Sequence, residues 1–165
     1  MIGNVTDALR AKGMWPRLLV LMSSDNGGPS GTDADSANNF PLRGGKYSDF
    51  EGGVRVAAFV SGGFVPVARR GAAADGYIHL CDWYATLSRL AGVDPTDDAT
   101  DSLGHPLPPI DSLDVWPYLA GDTNASPRTE IPLTVGPHQP ACGGGLIVGR
   151  HKVNSRSLPR PNTRP

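Results

Sequence analysis

The chain has 165 residues, about the length of one domain, and 15 Lys+Arg against 16 Asp+Glu leave a formal charge of −1. Near-neutral charge without a long basic run argues against nucleic acid or an anionic membrane as partner. Hydrophobic residues make up 39%, and 21 glycines with 16 prolines, lacking any period, point to a loop-rich chain with a thin core.

Ile2, Val5 and Leu9 recur at helical spacing, which predicts a short helix over Gly3–Lys12 that stops at Gly13. These first residues show no basic region followed by an apolar stretch, so no signal peptide is expected within them. Arg17–Met22 is an unbroken apolar run, the pattern of a strand covered on both faces in a parallel sheet. The longest apolar runs, Leu18–Met22 and Val56–Val60, are far below the roughly 20 residues of a membrane span. Pro29–Gly45 has no periodicity and exceeds the usual loop ceiling of about 12–15 residues, a length that marks functional or disordered loops.

Val54–Val60 is a second strand candidate. Asp75–Gly92 reads as a helix on Ile78, Trp83, Leu87 and Leu90, with Asp82 as an internal cap and Gly92 as its stop. Leu113–Leu119 is a short helix with Pro117 in its first turn. Glu130–Val135 and Leu146–Val153 are weak strands ahead of a Pro/Arg-rich tail, Ser155–Pro165, expected to be disordered. The order of elements suggests an α/β layer structure. Trp83, Tyr84 and Trp116 are expected in the core.

Two segments carry possible chemistry. Ser24-Asp25-Asn26-Gly27-Gly28 follows the first strand, where ligands of open α/β sheets bind. Asp25 offers carboxylate oxygens and Asn26 an amide oxygen, hard donors suited to Ca²⁺ or Mg²⁺. Asp-Asn-Gly-Gly is also an ordinary turn, and spacing alone favours that reading over a metal site. Arg43-Gly44-Gly45-Lys46 and Glu51-Gly52-Gly53-Val54-Arg55 set cations beside paired glycines, an arrangement that holds an oxyanion or simply forms a solvated turn. Cys81 and Cys142 lie too far apart, and lack the companions, for a zinc site; His79 reads as a packed or capping residue, and His138 matches no motif. Asn4 and Asn124 match the glycosylation acceptor pattern, but a helical setting and a following Pro127 argue against both.

Taken together and in order, several segments resemble the type I sulfatases, most nearly their arylsulfatase B-like branch. They are Ser23–Pro29, Asn39–Lys46, Glu51–Arg55, Ile78–Leu87, Ile110–Trp116 and Ser126–Ile131. The resemblance spans Ile2–Ile131, with a weaker echo at Gly149–Val153. It implies an alkaline-phosphatase-like α/β sandwich, a mostly parallel sheet between helices, truncated on its N-terminal side. Residues 1–120 would be the later part of the catalytic domain, 121–154 the start of a small C-terminal α+β subdomain, and 155–165 a tail. It also implies sulfuric ester hydrolysis, with Asp25 and Asn26 as Ca²⁺ ligands and Lys46 touching the substrate sulfate. The partner would be a sulfated small molecule or polysaccharide, with no nucleic acid, and the family suggests a secreted or lysosomal/vacuolar location.

Family chemistry uses a cysteine oxidised to formylglycine within Cys-x-Pro/Ser/Ala-x-Arg. Cys81 is followed by Asp-Trp-Tyr-Ala and Cys142 by Gly-Gly-Gly-Leu, so neither fits. The chain alone is therefore expected to be inactive, carrying part of the metal and sulfate site. The alternative is a non-catalytic sulfatase-like remnant that binds Ca²⁺ or a sulfated ligand.

Overall fold

A computed structural model describes residues 2–30, 36–133 and 144–154. His138, Cys142 and the tail 155–165 lie outside the described residues. The chain forms two compact units, Met1–Val65 with Pro132–Pro165, and Pro66–Ile131.

The first unit opens with helix α1, Ile2–Ala11, close to its predicted bounds. It stops at Gly13, whose φ of +67° is available to a residue without Cβ. Strand β1, Val20–Ser23, begins three residues into the apolar run Arg17–Met22. Strand β1 pairs antiparallel with β2, Ala58–Ser61, in register Val20↔Ser61 through Ser23↔Ala58, so among the described residues the neighbour of Arg17–Met22 runs antiparallel and not parallel as its apolar run predicts. Its apolar residues are half-buried or exposed rather than covered on both faces. The second run divides for a different reason: Glu51–Val54 closes into the single-turn helix α2, and pairing begins only at Ala58.

In the second unit, helix α3 covers Asp82–Leu90, half the predicted Asp75–Gly92. The earlier residues are held extended instead. Tyr77 bridges Arg128, Ser126 Oγ donates to the Tyr77 carbonyl, and the Gly76 N–H donates to Tyr118 Oη at 2.7 Å. The stop at Gly92 stands, with φ +74°. Helix α4, Trp116–Ala120, has Pro117 in its first turn as expected and ends at Gly121, φ +92°. Ala85, Thr86, Val115 and Tyr118 are buried. Trp83 and Trp116 are only half-buried, and Tyr84 is 52% exposed, which corrects its assignment to the core.

Strand β3, Glu130–Leu133, returns the chain to the first unit and belongs to a three-stranded sheet of order β3-β4-β5. The predicted strand Leu146–Val153 is a hairpin: β4, Gly145–Val148, pairs antiparallel with β5, His151–Asn154. Gly149, at φ +53°, turns the chain between them. Val65, Leu133 and Ile147 are buried apolar residues of this unit, as thin a core as the composition predicts. No described helix is long and apolar enough to cross a membrane.

Candidate functional site

Strand β1 delivers the chain into Ser24–Gly28, and a hydrogen-bonded lattice takes over. The Ser24 N–H donates to the Ala57 carbonyl at 3.1 Å, and the Gly27 N–H to the Gly53 carbonyl at 2.8 Å. The Lys46 N–H donates to the Gly28 carbonyl at 3.0 Å, and the Gly52 N–H to the Arg43 carbonyl at 2.8 Å. Three segments singled out separately in the sequence thus close into one loop cluster of the first unit, joined mostly by backbone.

Glycine makes the closure possible. A Cβ on Gly27 would run into the Gly52 carbonyl, and one on Gly44 would meet Ser48 Oγ and Phe50 at a φ of +82°. Asn39 adds a side-chain brace: its Oδ1 accepts the Gly28 N–H at 2.9 Å, and its Nδ2 donates to the Gly28 and Gly44 carbonyls at 2.9 and 3.3 Å.

Asp25 stands exposed at the rim and Asn26 beside it is half-buried. Asp25 Oδ1 accepts the Asn26 N–H at 2.9 Å, while Asn26 Nδ2 donates to the Gly27 carbonyl at 3.0 Å. The amide oxygen of Asn26 and the second carboxylate oxygen of Asp25 are the atoms left for a cation, hard donors as Ca²⁺ requires. Among the described residues no group of three His, Cys, Asp or Glu gathers as a metal site.

Lys46 is half-buried, with Nζ 5.4 Å from the centroid of the Tyr47 ring. Tyr47 has φ +72°, the left-handed region that a bulky residue enters only at a cost of about 1–2 kcal/mol.

The charged side chains of these segments find partners within the first unit. Arg43 lies over the Phe50 ring at 4.3 Å, and Arg55 reaches Glu51 at 4.0 Å. Glu51 has a closer partner in Lys152 on β5, 2.9 Å away and 101 residues along the chain. Sequence reasoning missed that pair because no local pattern reports a contact at such separation. It also missed the role of Asn39, although the residue stands inside a recognised segment.

A second polar cluster occupies the other unit. Asp82, expected to cap its helix, turns inward to Arg128. Arg128 Nε meets Asp82 Oδ2 at 2.7 Å, and Nη2 meets Oδ1 at 2.5 Å while also reaching the Asp111 carbonyl at 2.6 Å. Asp82 accepts the backbone N–H of His79 at 2.7 Å and of Leu113 at 3.0 Å. Burial alone would raise its pKa, but the Arg128 hydrogen bond and these two N–H groups outweigh it and hold the carboxyl below its ordinary value. Arg128 is pushed up by the same partner.

Cys81 Sγ lies 2.9 Å from His79 Nδ1 and 3.5 Å from Arg128 Nη2. Burial, then the charge of Asp82, raises the thiol to about 11. At neutral pH it is a protonated thiol, the opposite of an activated nucleophile. Asp82 and Arg128 are buried and neutralise each other, and they tie α3 to the segments around Leu113 and Arg128, so this cluster is architecture.

Residues 1–93 match the protein family described as Sulfatase. The chain is similar to Arylsulfatase J of Mus musculus, 32% identical over 136 residues that cover 82% of this chain and 20% of that protein. It is also similar to Steryl-sulfatase of Mus musculus, 32% identical over 131 residues, 76% of this chain and 19% of that protein. Steryl-sulfatase of Rattus norvegicus is 32% identical over 134 residues, 76% and 21% of the two chains. The chain therefore spans about a fifth of the length of these curated relatives.

Proposed function

This chain belongs to the sulfatase family, and from that membership we propose that it carries part of the cation and sulfate site of a sulfuric ester hydrolase. Asp25 and Asn26 would hold Ca²⁺, and Lys46 would meet the sulfate of a sulfated small molecule or polysaccharide. The observation that carries this reading is the 3.0 Å bond from the Lys46 N–H to the Gly28 carbonyl, which joins the ammonium-bearing residue to the loop of the two oxygen donors.

The donor chemistry fits Ca²⁺, because one carboxylate oxygen and one amide oxygen remain after the local hydrogen bonds are made. Two residues supply a minority of a shell of about six to eight oxygens, so millimolar affinity is expected from them alone. When bound, the ion would offset negative charge on the sulfuryl oxygens. Lys46 binds and orients the sulfate as a point charge with three donors.

The formylglycine of this chemistry is not supplied by Cys81 or Cys142, whose following residues do not match the motif. Alone, these 165 residues turn over no sulfate ester, and the same mismatch favours a second reading in which they bind Ca²⁺ or a sulfated ligand without catalysis. In an alkaline-phosphatase-like sandwich, residues 1–120 would be catalytic-domain sequence and 121–154 would open a small α+β subdomain.

Titration of the isotopically labelled chain tests the site. Millimolar CaCl₂ is expected to shift the amides of Asp25 and Asn26, and 4-nitrophenyl sulfate those around Lys46. Unmoved amides at tens of millimolar ligand would overturn the assignment. Hydrolysis of 4-nitrophenyl sulfate that Lys46→Ala abolishes would overturn the expected inactivity.

A further inference from the structure

Gly28 lies two residues after Asn26, and Gly44 two before Lys46. The Asn39 side chain bonds both. It accepts the Gly28 N–H, donates to the Gly28 carbonyl, and reaches the Gly44 carbonyl at 3.3 Å with the same nitrogen. The Gly28 carbonyl it holds is also the acceptor for the Lys46 N–H. Next to it, a Cβ on Gly45 would meet Asn39 Nδ2 and the Gly28 carbonyl, so the loop carrying Lys46 rests directly on this amide.

We propose that Asn39 is a positioning residue: it sets Lys46 relative to the Asp25–Asn26 loop and thereby couples cation binding to sulfate binding. The inference rests on the assignment of Asp25, Asn26 and Lys46 given above. The chemistry selects asparagine. One side chain must accept from one backbone group and donate to two others, which an amide does in the manner of a peptide bond. A carboxylate of the same size has no donor, and an apolar side chain of the same size has neither. Asn39 touches neither ion in this scheme; it fixes the span between the groups that do. A carbonyl shared by two donors transmits a shift of either arm to the other.

The experiment measures 4-nitrophenyl sulfate binding to the whole chain with and without saturating Ca²⁺, for wild type, Asn39→Ala and Asn39→Leu. Ile147→Val, which trims a buried core residue on β4 outside the loop cluster, calibrates the effect of lost stability alone. In wild type, Ca²⁺ is expected to tighten the sulfate ester by about fivefold or more. Both Asn39 variants should lose that factor while keeping Ca²⁺ affinity within about twofold, and Ile147→Val should retain it. Coupling retained in Asn39→Leu would reduce the residue to space filling and overturn the inference. Wild type that binds both ligands without coupling overturns it too, leaving the site assignment intact. Wild type that binds neither overturns the site assignment and the inference with it.

A wild-type measurement stands independent of variant folding. Hydrogen exchange of the Gly28 and Lys46 amides should show protection equal within about tenfold, because one brace governs both. A wider difference overturns the coupling.

Discussion

Arg128 grips Asp82 with two nitrogens at once, Nε on Oδ2 at 2.7 Å and Nη2 on Oδ1 at 2.5 Å, and both side chains are buried. Removing one partner of such a pair strands the other charge away from water. Arg128→Ala is expected to lower stability by about 3–5 kcal/mol, read by urea denaturation. Arg128→Lys should recover only part of that loss, since an ammonium cannot reproduce the fork. A loss below about 1 kcal/mol, the scale of an exposed pair, would contradict this account.

The same carboxylate gives the second unit an acid limb. Asp82 titrates lower in the folded chain than its ordinary value of 3.8. Its contribution is therefore complete above that value and is lost as pH falls through the lower folded one. Stability measured on the acid side should fall in wild type and fall less steeply in Asp82→Asn. Equal slopes would remove Asp82 as the source.

Cys81 should be a slow thiol. With its pKa at about 11 rather than 9.0, about one molecule in a thousand carries the thiolate at pH 8, against about one in ten for the unshifted group. In a Cys142→Ser background, iodoacetamide should alkylate Cys81 about tenfold more slowly than an unshifted thiol, since a more basic thiolate regains part of the loss in nucleophilicity, with the rate climbing about tenfold per pH unit. Mass spectrometry across a pH series reads both. A rate that levels off below about pH 9 would show the thiol is not held protonated.

Gly27→Ala tests the loop cluster. The added methyl meets a backbone carbonyl, which cannot swing aside as a side chain can. A cost of about 1–3 kcal/mol is expected, together with faster exchange of the Lys46 amide. Full stability would mean that Gly27 and Gly52 do not sit against each other as described.

Local punctuation was readable from the sequence: the stops at Gly13 and Gly92 and the place of Pro117 follow from φ freedom and a missing N–H, which are properties of single residues. Partnership was not. Arg17–Met22 reads as a doubly covered strand because it is apolar throughout, yet hydropathy does not encode the direction of the neighbour, and β2 runs the other way. Asp82 reads as a cap because aspartate before a helix usually is one; the competing guanidinium lies 46 residues away. The segments around Asp25, Asn26 and Lys46 were visible as motifs. What welds them is carbonyls and N–H groups, which every residue possesses and no sequence pattern advertises.

That weld also constrains how the protein can change. Positions 27, 44, 45, 52 and 53 have no room for a side chain, so the middle of the cluster is closed to point variation. Under the proposed binding role, ligand preference would drift at the rim, where Phe40 and Tyr47 stand 87% and 76% exposed on either side of the Arg43–Lys46 turn. A combinatorial library aimed at a new ligand for the proposed site should be randomised there and leave the glycines untouched. The crowded centre then stays as it is, and the two exposed aromatic positions are where new side chains have space.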